Sequence, residues 1–94
     1  MSWRVEFTGN AAKQLTKIPK KQRLMITVWI AEYLDGCENP RAIPGSKQLQ
    51  GTESGWRWRV GSYRVLGRLD DGVLTIEVVR VGHRQGVYKN LPRM

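Results

Sequence analysis

The chain has 94 residues, 40% of them hydrophobic and 26% charged, and this length leaves room for one domain with no second core. Its single cysteine excludes an internal disulfide, no Cys/His spacing fits a zinc site, and the longest apolar-rich run, residues 24–34, is shorter than the roughly 20 residues that span a bilayer. The N-terminus has no hydrophobic signal segment, which predicts a cytoplasmic protein. The net charge of +8 predicts a phosphate-bearing or acidic partner.

The first third of the chain predicts a strand followed by two helices. Residues 2–7, SWRVEF, alternate apolar and polar side chains, which is typical of a short half-buried strand. Thr8 or Asn10 can cap a first helix, and Pro19 ends that helix and opens the next. The second helix runs from Lys20 to about Leu34, and because it is apolar almost all round we expect it to be largely buried.

The rest of the chain predicts an antiparallel meander. A connector rich in Gly, Pro, Asn and Ser, residues 35–55, precedes it and has an extended stretch near Lys47–Leu49. Three strand candidates follow at Trp56–Val60, Tyr63–Leu69 and Val73–Val81, and the Gly-Ser and Asp-Gly pairs between them are typical of hairpin turns. A short helical turn is expected near Val87–Leu91.

These elements predict one α+β domain that comprises residues 1–94. Two N-terminal helices pack on one face of a mainly antiparallel four-stranded sheet, in the order β-α-α-β-β-β, with the short helical turn at the C-terminus. We find no linker, internal repeat or low-complexity segment that would divide the chain.

Alternation along the meander predicts one apolar and one cationic sheet face. In GWRWRV, residues 55–60, the two tryptophans share one face and the two arginines share the other. The cationic face predicted in this way holds Arg57, Arg59, Arg64, Arg68 and Glu77. The inward face holds Trp56, Trp58, Val60, Tyr63, Val65, Leu69, Leu74, Ile76 and Val78.

The cationic face is expected to bind phosphate. One acid cannot balance four bases, and the planar fork of arginine grips phosphate at two points. A cross-strand ion-pair ladder, in which Glu77 neutralises a neighbour, is one alternative. A solvated basic surface that keeps the protein soluble is the other.

The segment Gly82–Tyr88 brings reactive side chains to the end of the last strand. It holds the single histidine of the chain, His83, together with Arg84 and Tyr88, and we expect it near the rim of the arginine face. Imidazole titrates near neutral pH, so His83 can take or give a proton, although a lone histidine is more often a surface or capping residue. Tyr88 can stack on a nucleobase or anchor the tail on the sheet.

The order of the elements and three motifs together resemble the RelE/ParE superfamily of bacterial toxins from type II toxin–antitoxin modules. The motifs are VGSYRV, LDDGVLTIEVVRVGHR and the terminal VY, at residues 60–65, 69–84 and 87–88. The resemblance covers nearly the whole chain. Its Gly-His-Arg and tyrosine ending is most similar to the RelE branch.

The resemblance implies a ribosome-dependent mRNA endoribonuclease, or interferase, in which the 2′-hydroxyl of the RNA attacks the scissile phosphate without a metal or other cofactor. The implied partners are the ribosome, mRNA and a cognate antitoxin whose acidic or amphipathic segment wraps the domain, with operator DNA contacted only through the antitoxin. The candidate catalytic residues are Arg59, Arg64, His83, Arg84 and Tyr88. The candidate phosphate-binding residues are Arg57, Arg59, Arg64, Arg68 and Lys47.

The chain departs from the RelE pattern at Arg57 and Arg59, where RelE has lysines and one lysine is a proposed general base. Because arginine stays protonated, we expect Arg59 to be an electrostatic clamp and His83 to be the titrating group. Two alternatives are a ParE-like inhibitor of DNA gyrase and a catalytically weak toxin that acts with its antitoxin as a transcriptional corepressor. The complete set of arginines with Tyr88 favours the nuclease over the gyrase inhibitor, because ParE-like members generally lack that set.

Overall fold

Two helices pack on one face of a five-stranded sheet in the computed structural model, which describes residues 1–91. The strands are β1 (Arg4–Phe7), β2 (Ser46–Gln48), β3 (Gly55–Val60), β4 (Tyr63–Asp70) and β5 (Thr75–His83). The helices are α1 (Gly9–Lys17) and α2 (Lys20–Trp29), and α2 continues into a π-helical turn, Ile30–Leu34. The predicted α+β class is confirmed, with one strand more than expected. Within the described residues, none of the helices has the length and apolar character needed to cross a membrane.

The strand order in the sheet is β1-β5-β4-β3-β2. Strands β2 to β5 pair antiparallel, and β2 is the extended stretch that the sequence predicts near Lys47. Strand β1 instead runs parallel to β5, with Arg4 opposite Thr75 and Phe7 opposite Val78. A parallel pair requires a long connection, which the helices and the meander provide here. The N-terminal strand therefore forms the sheet edge opposite β2.

Thr8 caps α1, and it is one of the two cap residues that the sequence predicts. Its side-chain oxygen accepts a hydrogen bond from the Ala11 N–H at 3.1 Å, whereas Asn10 lies inside the helix. The last residue of the helix is Lys17, and its C-cap, Ile18, is extended and directly precedes Pro19. Proline has no N–H to continue the hydrogen-bond ladder, so it separates α1 from α2.

Replacing Thr8 with alanine removes this cap. We expect the free energy of unfolding to fall by about 1 kcal/mol, because an N-terminal N–H of α1 loses its partner. Asn10→Ala is the matched control, and we expect it to change the free energy by less than about 0.5 kcal/mol. Urea unfolding followed by tryptophan fluorescence measures both variants, and equal losses would contradict the assignment of Thr8 as the cap.

The main core lies between the helices and the sheet. Trp58 is fully buried there, and its Nε1 donates a hydrogen bond to the Pro40 carbonyl at 2.9 Å. The residues that alternation places on the inward face all belong to this core, either buried (Trp58, Val60, Val65, Leu69, Ile76 and Val78) or partly buried (Trp56, Tyr63 and Leu74). The predicted faces of β3, β4 and the first half of β5 are therefore confirmed.

Helix α2 is buried on one side only. It contributes Ile26 to the core, and the π-helical turn contributes Ile30 and Leu34. Its outer side exposes Leu24 and Val28 to solvent. The expectation of a largely buried second helix was therefore wrong, because the sheet covers one side of the helix and nothing within residues 1–91 covers the other.

A β-bulge reverses the alternation in the second half of β5. Residues 66–67 of β4 lie opposite Arg80 and Val78, which leaves Val79 as the extra residue. Val79 lies on the sheet face away from the helices, whereas Val81 joins the main core. We call the face away from the helices the open face; it carries Arg57, Arg59, Arg64, Leu66, Arg68, Glu77 and Val79.

The C-terminal segment, residues 84–91, folds back across the open face. Val87 is buried there in a small apolar cluster with Leu66 and Val79. A helical hydrogen bond joins the Val87 N–H to the His83 carbonyl at 2.9 Å, and turns continue to residue 90, so they begin before the predicted turn near Val87–Leu91 and overlap it. The open face thus has a small core of its own, which alternation does not predict.

Arg41 joins the connector to the turn between β4 and β5. Its guanidinium donates two hydrogen bonds to the Asp71 carboxylate, at 3.0 and 2.9 Å, and lies over the rings of Trp3 and Trp56. The hydrogen bond from Arg41 lowers the pKa of the Asp71 carboxyl. Because the folded state has the lower pKa, this contribution to stability is present above the ordinary value of 3.8 and is lost as the pH falls below it.

Candidate functional site

A cleft on the open face brings together three of the predicted site residues, Lys47, Arg57 and Tyr88. It has a volume of about 450 Å³ and lies where β2, β3 and the C-terminal segment meet. Lys47 and Arg57 are cross-strand partners, and Tyr88 is 42% exposed. The other residues that line the cleft are Gln48, Leu49, Gln50, Thr52 and Leu91. Two cations and an aromatic ring therefore share one cleft.

The guanidinium of Arg57 has a fixed position in this cleft. It is half-buried, and its Nη1 donates a hydrogen bond to the Gly45 carbonyl at 2.8 Å. Gly45 has a φ of 88°, a conformation that favours glycine, so the connector can pass close to β3 at this point. A guanidinium has several further N–H donors. Arg57 can therefore bind an anion without losing the bond that orients it.

Arg59, Arg64 and Arg84 gather around the turn between β3 and β4, residues 61–62. Arg59 and Arg64 are cross-strand partners, and Arg64 Nη1 donates to the carbonyls of Gly61 and Tyr63 at 3.0 and 2.9 Å. The Arg84 N–H donates to the Ser62 carbonyl at 2.9 Å. This bond brings the C-terminal segment to the same turn, so three arginines lie at the end of β3 that follows Arg57.

These cations have no acidic partner within residues 1–91. The ion pairs among the described residues are Arg4–Glu6 at 3.6 Å, Arg41–Asp71 at 2.9 Å, and Arg68–Glu77. None of them involves the cleft or the turn, whose cations are Lys47, Arg57, Arg59, Arg64 and Arg84. Like charges that face each other across strands repel, so an anion that binds between Arg59 and Arg64 relieves that repulsion.

Arg68 lies apart from the other predicted phosphate-binding residues. Its guanidinium donates to the carboxylate of Glu77, its cross-strand partner. The pair lines a separate cavity of about 450 Å³, together with Arg4, Glu6, Asp70 and Asp71. The ion-pair alternative therefore holds for Arg68. Despite these carboxylates, the described part of the chain contains no group of three or more His, Cys, Asp or Glu side chains that could hold a metal ion.

His83 lies on the helix side of the sheet, in a cavity that also includes Gly61 and Ser62 of the turn around which Arg59, Arg64 and Arg84 gather. Its ring meets the ring of Tyr63 edge-on, with 5.6 Å between centroids. It lines a cavity with Gln22 and Met25 of α2. Its Nδ1 accepts a hydrogen bond from the Gln85 N–H at 3.3 Å.

The bulge at Val79 explains this position. Strict alternation from Glu77, which lies on the open face, would place residue 83 on the same face. The extra residue shifts the alternation by one, and His83 turns to the helix side instead. The sheet therefore separates His83 from the cleft of Arg57 and Tyr88.

Arg80 is a residue of this region that the sequence reasoning missed. Its guanidinium donates hydrogen bonds to the backbone carbonyls of Val87, Lys89 and Asn90. Tyr88 lies within that stretch. The signal that could have found Arg80 is its place in VVRV, because a charged residue inside an apolar run of a central strand requires partners.

Comparison with known proteins identifies the family of the chain. Residues 5–88 match the family model described as the ParE toxin of type II toxin–antitoxin system, parDE. Toxin RelG of Mycobacterium tuberculosis is 34% identical over 91 residues, which cover 95% of this chain and 99% of RelG. Toxin RelE of the same organism is 30% identical over 94 residues, with 96% of this chain and 90% of that toxin covered.

A solved structure shares the fold. The toxin–antitoxin complex RelBE2 from Mycobacterium tuberculosis matches with a TM-score of 0.75 and 27% identity, over 89% of this chain and 100% of the matched chain. The family match and the two relatives extend over most of the chain. The chain therefore belongs to the ParE toxin family, and it is a toxin of the RelE/ParE type from a type II toxin–antitoxin system.

Proposed function

We propose that this toxin is a ribosome-dependent endoribonuclease that cuts messenger RNA at the open face. The observation that carries the proposal is the cleft in which Lys47, Arg57 and Tyr88 meet, together with the turn at the end of β3, whose arginines have no acidic partner within residues 1–91. RNA phosphates supply the missing negative charge, and an unstacked base can stack on the exposed tyrosine ring. The similarity to the toxins RelG and RelE supports the same assignment.

The proposed reaction is an internal transfer within the RNA chain. The 2′-oxygen of one nucleotide attacks the adjacent phosphorus, so that a P–O2′ bond forms and the P–O5′ bond to the next nucleotide breaks. The products are a 2′,3′-cyclic phosphate and a 5′-hydroxyl. The proton of the 2′-hydroxyl passes to water, and Tyr88 donates its phenolic proton to the leaving 5′-oxygen. Water then returns a proton to Tyr88.

The arginines stabilise the negative charge that accumulates on the phosphate. Arg57 acts from the cleft, and Arg64 and Arg84 act from the turn. All three raise the reaction rate most if they bind the transition state more tightly than the substrate. They act as clamps rather than bases, because a guanidinium does not lose its proton. The proposed site therefore comprises Lys47, Arg57, Arg59, Arg64, Arg84 and Tyr88, without His83 or Arg68.

Replacing His83 with glutamine is expected to leave the cleavage rate within about twofold of wild type, because the sheet separates this side chain from the cleft. Purified wild-type and variant proteins are compared over a pH series between about 5 and 8. A pH dependence that is present in wild type and disappears in His83→Gln would restore His83 as the proton carrier and contradict its exclusion.

Primer extension on mRNA after brief induction tests the proposed activity. We expect codon-phased cuts with wild type and much weaker cuts in Arg84→Ala and Tyr88→Ala. Arg4→Ala is the charge-matched control and retains the cuts, because Arg4 lies on β1 and faces Glu6 at 3.6 Å. Absence of cuts in wild type together with trapped gyrase–DNA complexes would replace the proposal with gyrase inhibition, the alternative that the ParE family match supports.

We also propose a cognate antitoxin with an amphipathic segment as the partner of α2. The outer side of α2 and the π-helical turn expose an apolar stripe formed by Leu24, Met25, Val28 and Tyr33, at 61%, 43%, 46% and 55%. A contiguous apolar surface of this kind marks an interaction site. The stripe lines a groove of about 610 Å³ together with Lys21, Arg59 and Glu32, so an acidic residue of the partner can pair with one of the two cations beside the apolar side chains. The matched RelBE2 chain comes from a toxin–antitoxin complex, which supports this partner.

Leu24→Asp tests this partner surface. We expect the variant to arrest growth as wild type does, since Leu24 lies on the outer side of α2 and away from the cleft. Co-expression of the antitoxin is expected to rescue growth with wild type but not with Leu24→Asp, because a charge in the groove opposes apolar docking. Thr16→Asp, an exposed site on α1, is the control and remains rescued. Full rescue of Leu24→Asp would place the antitoxin elsewhere.

A further inference from the structure

We infer that Arg80 is a positioning residue for Tyr88, an inference that rests on the proposed function of the cleft. Arg80 lies on β5 at the bulge and is half-buried on the open face. Its Nη1 donates to the carbonyls of Val87, at 3.4 Å, and Lys89, and its Nη2 donates to the carbonyl of Asn90 at 2.8 Å. One guanidinium therefore binds the backbone on both sides of Tyr88.

The backbone around Tyr88 has few other attachments to the sheet. The Lys89 N–H donates to the Gly86 carbonyl, a bond within the segment itself. Val87 is buried against the open face, but Tyr88, Lys89 and Asn90 are exposed. Arg80 thus supplies the polar contacts that hold the stretch after Val87 against β5.

The chemistry of position 80 favours a role beyond packing. The neighbours Val79 and Val81 are buried valines, and Arg80 Nε is buried without a hydrogen-bond partner among the described residues. An unpaired buried donor lowers stability, so an apolar side chain would suit this position better if packing were its sole requirement. The hydrogen bonds to three carbonyls explain why an arginine occupies position 80.

The loss of these bonds is expected to act on turnover more than on binding. Lys47 and Arg57 still line the cleft and hold the RNA, so KM changes by less than about threefold. A Tyr88 ring that is no longer fixed is out of position for proton donation, and a displacement of about 1 Å costs roughly 100-fold in rate. We expect kcat to fall by about 10- to 100-fold.

A double-mutant cycle with purified protein and ribosome-bound mRNA tests the inference. Arg80→Met keeps a long unbranched side chain but removes the donors. It is expected to lower kcat by about 10- to 100-fold in wild type and by less than about twofold in Tyr88→Ala, because its effect passes through Tyr88. Arg80→Lys restores part of the rate, since an ammonium can still bind a carbonyl. A full effect of Arg80→Met in the Tyr88→Ala background would overturn the inference.

Amide hydrogen exchange tests the same inference without any cleavage. We expect the amides of Val87 and Lys89 to exchange faster in Arg80→Met than in wild type, while amides of β3 and β4 keep their rates. If the amides of β3 and β4 also exchange faster, Arg80→Lys replaces Arg80→Met in the comparison with wild type, because lysine retains the charge and one donor group. Unchanged exchange at residues 87–90 would refute the inference whatever the activity. If wild type cuts no RNA, the proposed function fails, and exchange alone decides whether Arg80 holds the segment.

Discussion

Replacing Arg57 with glutamine is expected to lower the rate of message cleavage by about 10²- to 10³-fold. Arg57 lines the cleft, and its guanidinium is held in one orientation by the hydrogen bond that it donates to the Gly45 carbonyl at 2.8 Å. Glutamine keeps polar groups but loses the charge, so about 3–4 kcal/mol of transition-state stabilisation disappears. Single-turnover cleavage of ribosome-bound mRNA by purified protein measures this loss.

Arg4→Gln is the control for Arg57→Gln. It removes the same charge from the same sheet, but at the edge strand β1, where Arg4 is exposed and faces Glu6 at 3.6 Å. We expect its cleavage rate to stay within about threefold of wild type, since an exposed charge far from the site is screened by salt. Equal losses in the two variants would mean that overall charge attracts the RNA and that the cleft has no special role. Thermal unfolding of both variants confirms that each is folded.

Replacing Trp58 with alanine is expected to lower the free energy of unfolding by about 3–5 kcal/mol. The side chain is fully buried at the centre of the main core, and its Nε1 donates to the Pro40 carbonyl at 2.9 Å. The substitution leaves a cavity and an unpaired carbonyl. Small domains are stable by only about 5–15 kcal/mol, so growth arrest should weaken although no cleft residue has changed. Urea unfolding followed by circular dichroism measures the effect.

Trp56→Ala is the matched comparison for Trp58→Ala. Trp56 lies on the same strand and the same face, but it is only partly buried and packs at the edge of the core over Arg41. We expect a clearly smaller loss of stability, because the cost of a large-to-small substitution follows the buried area and the cavity that remains. An equal or larger loss for Trp56→Ala would contradict the placement of Trp58 at the centre of the core.

Local patterns predicted much of the fold. Thr8 is followed by a helical run, and its hydroxyl does cap α1. Apolar and polar residues alternate over Trp56–Val60 and again over Tyr63–Val65, and this period of two, continued to Leu69, assigned the faces of β3 and β4 correctly. Predictions from such patterns succeed because each pattern is formed by residues that are neighbours in the sequence.

The faces of β5 were harder to predict because the bulge is a property of strand pairing. Gly67 lies opposite Val78, and Val79 has no partner of its own on β4. Two consecutive valines in VVRV interrupt the alternation, but they do not show which of them is extra. The side of the sheet on which His83 lies depends on that choice, and for this reason the sequence alone could not assign it.

The candidate site was only partly predictable for a related reason. Arg57 and Arg59 could be assigned to a common face from β3 alone. The meeting of Lys47, Arg57 and Tyr88 depends on three segments that are distant in the sequence, and the last of them is fixed by Arg80. Contacts of this kind follow from tertiary packing, which a single sequence does not encode in any local period.

The chemical nature of the RNA ends tests the central claim most directly. Purified wild-type protein is incubated with ribosome-bound mRNA, and the new ends are assigned by their reactivity with ligase and kinase. We predict a 2′,3′-cyclic phosphate on the upstream fragment and a 5′-hydroxyl on the downstream fragment, with neither formed at a comparable rate by Arg57→Gln. Fragments with 3′-hydroxyl and 5′-phosphate ends, or no fragments from folded wild-type protein, would contradict the proposal that the open face cleaves RNA by 2′-hydroxyl attack.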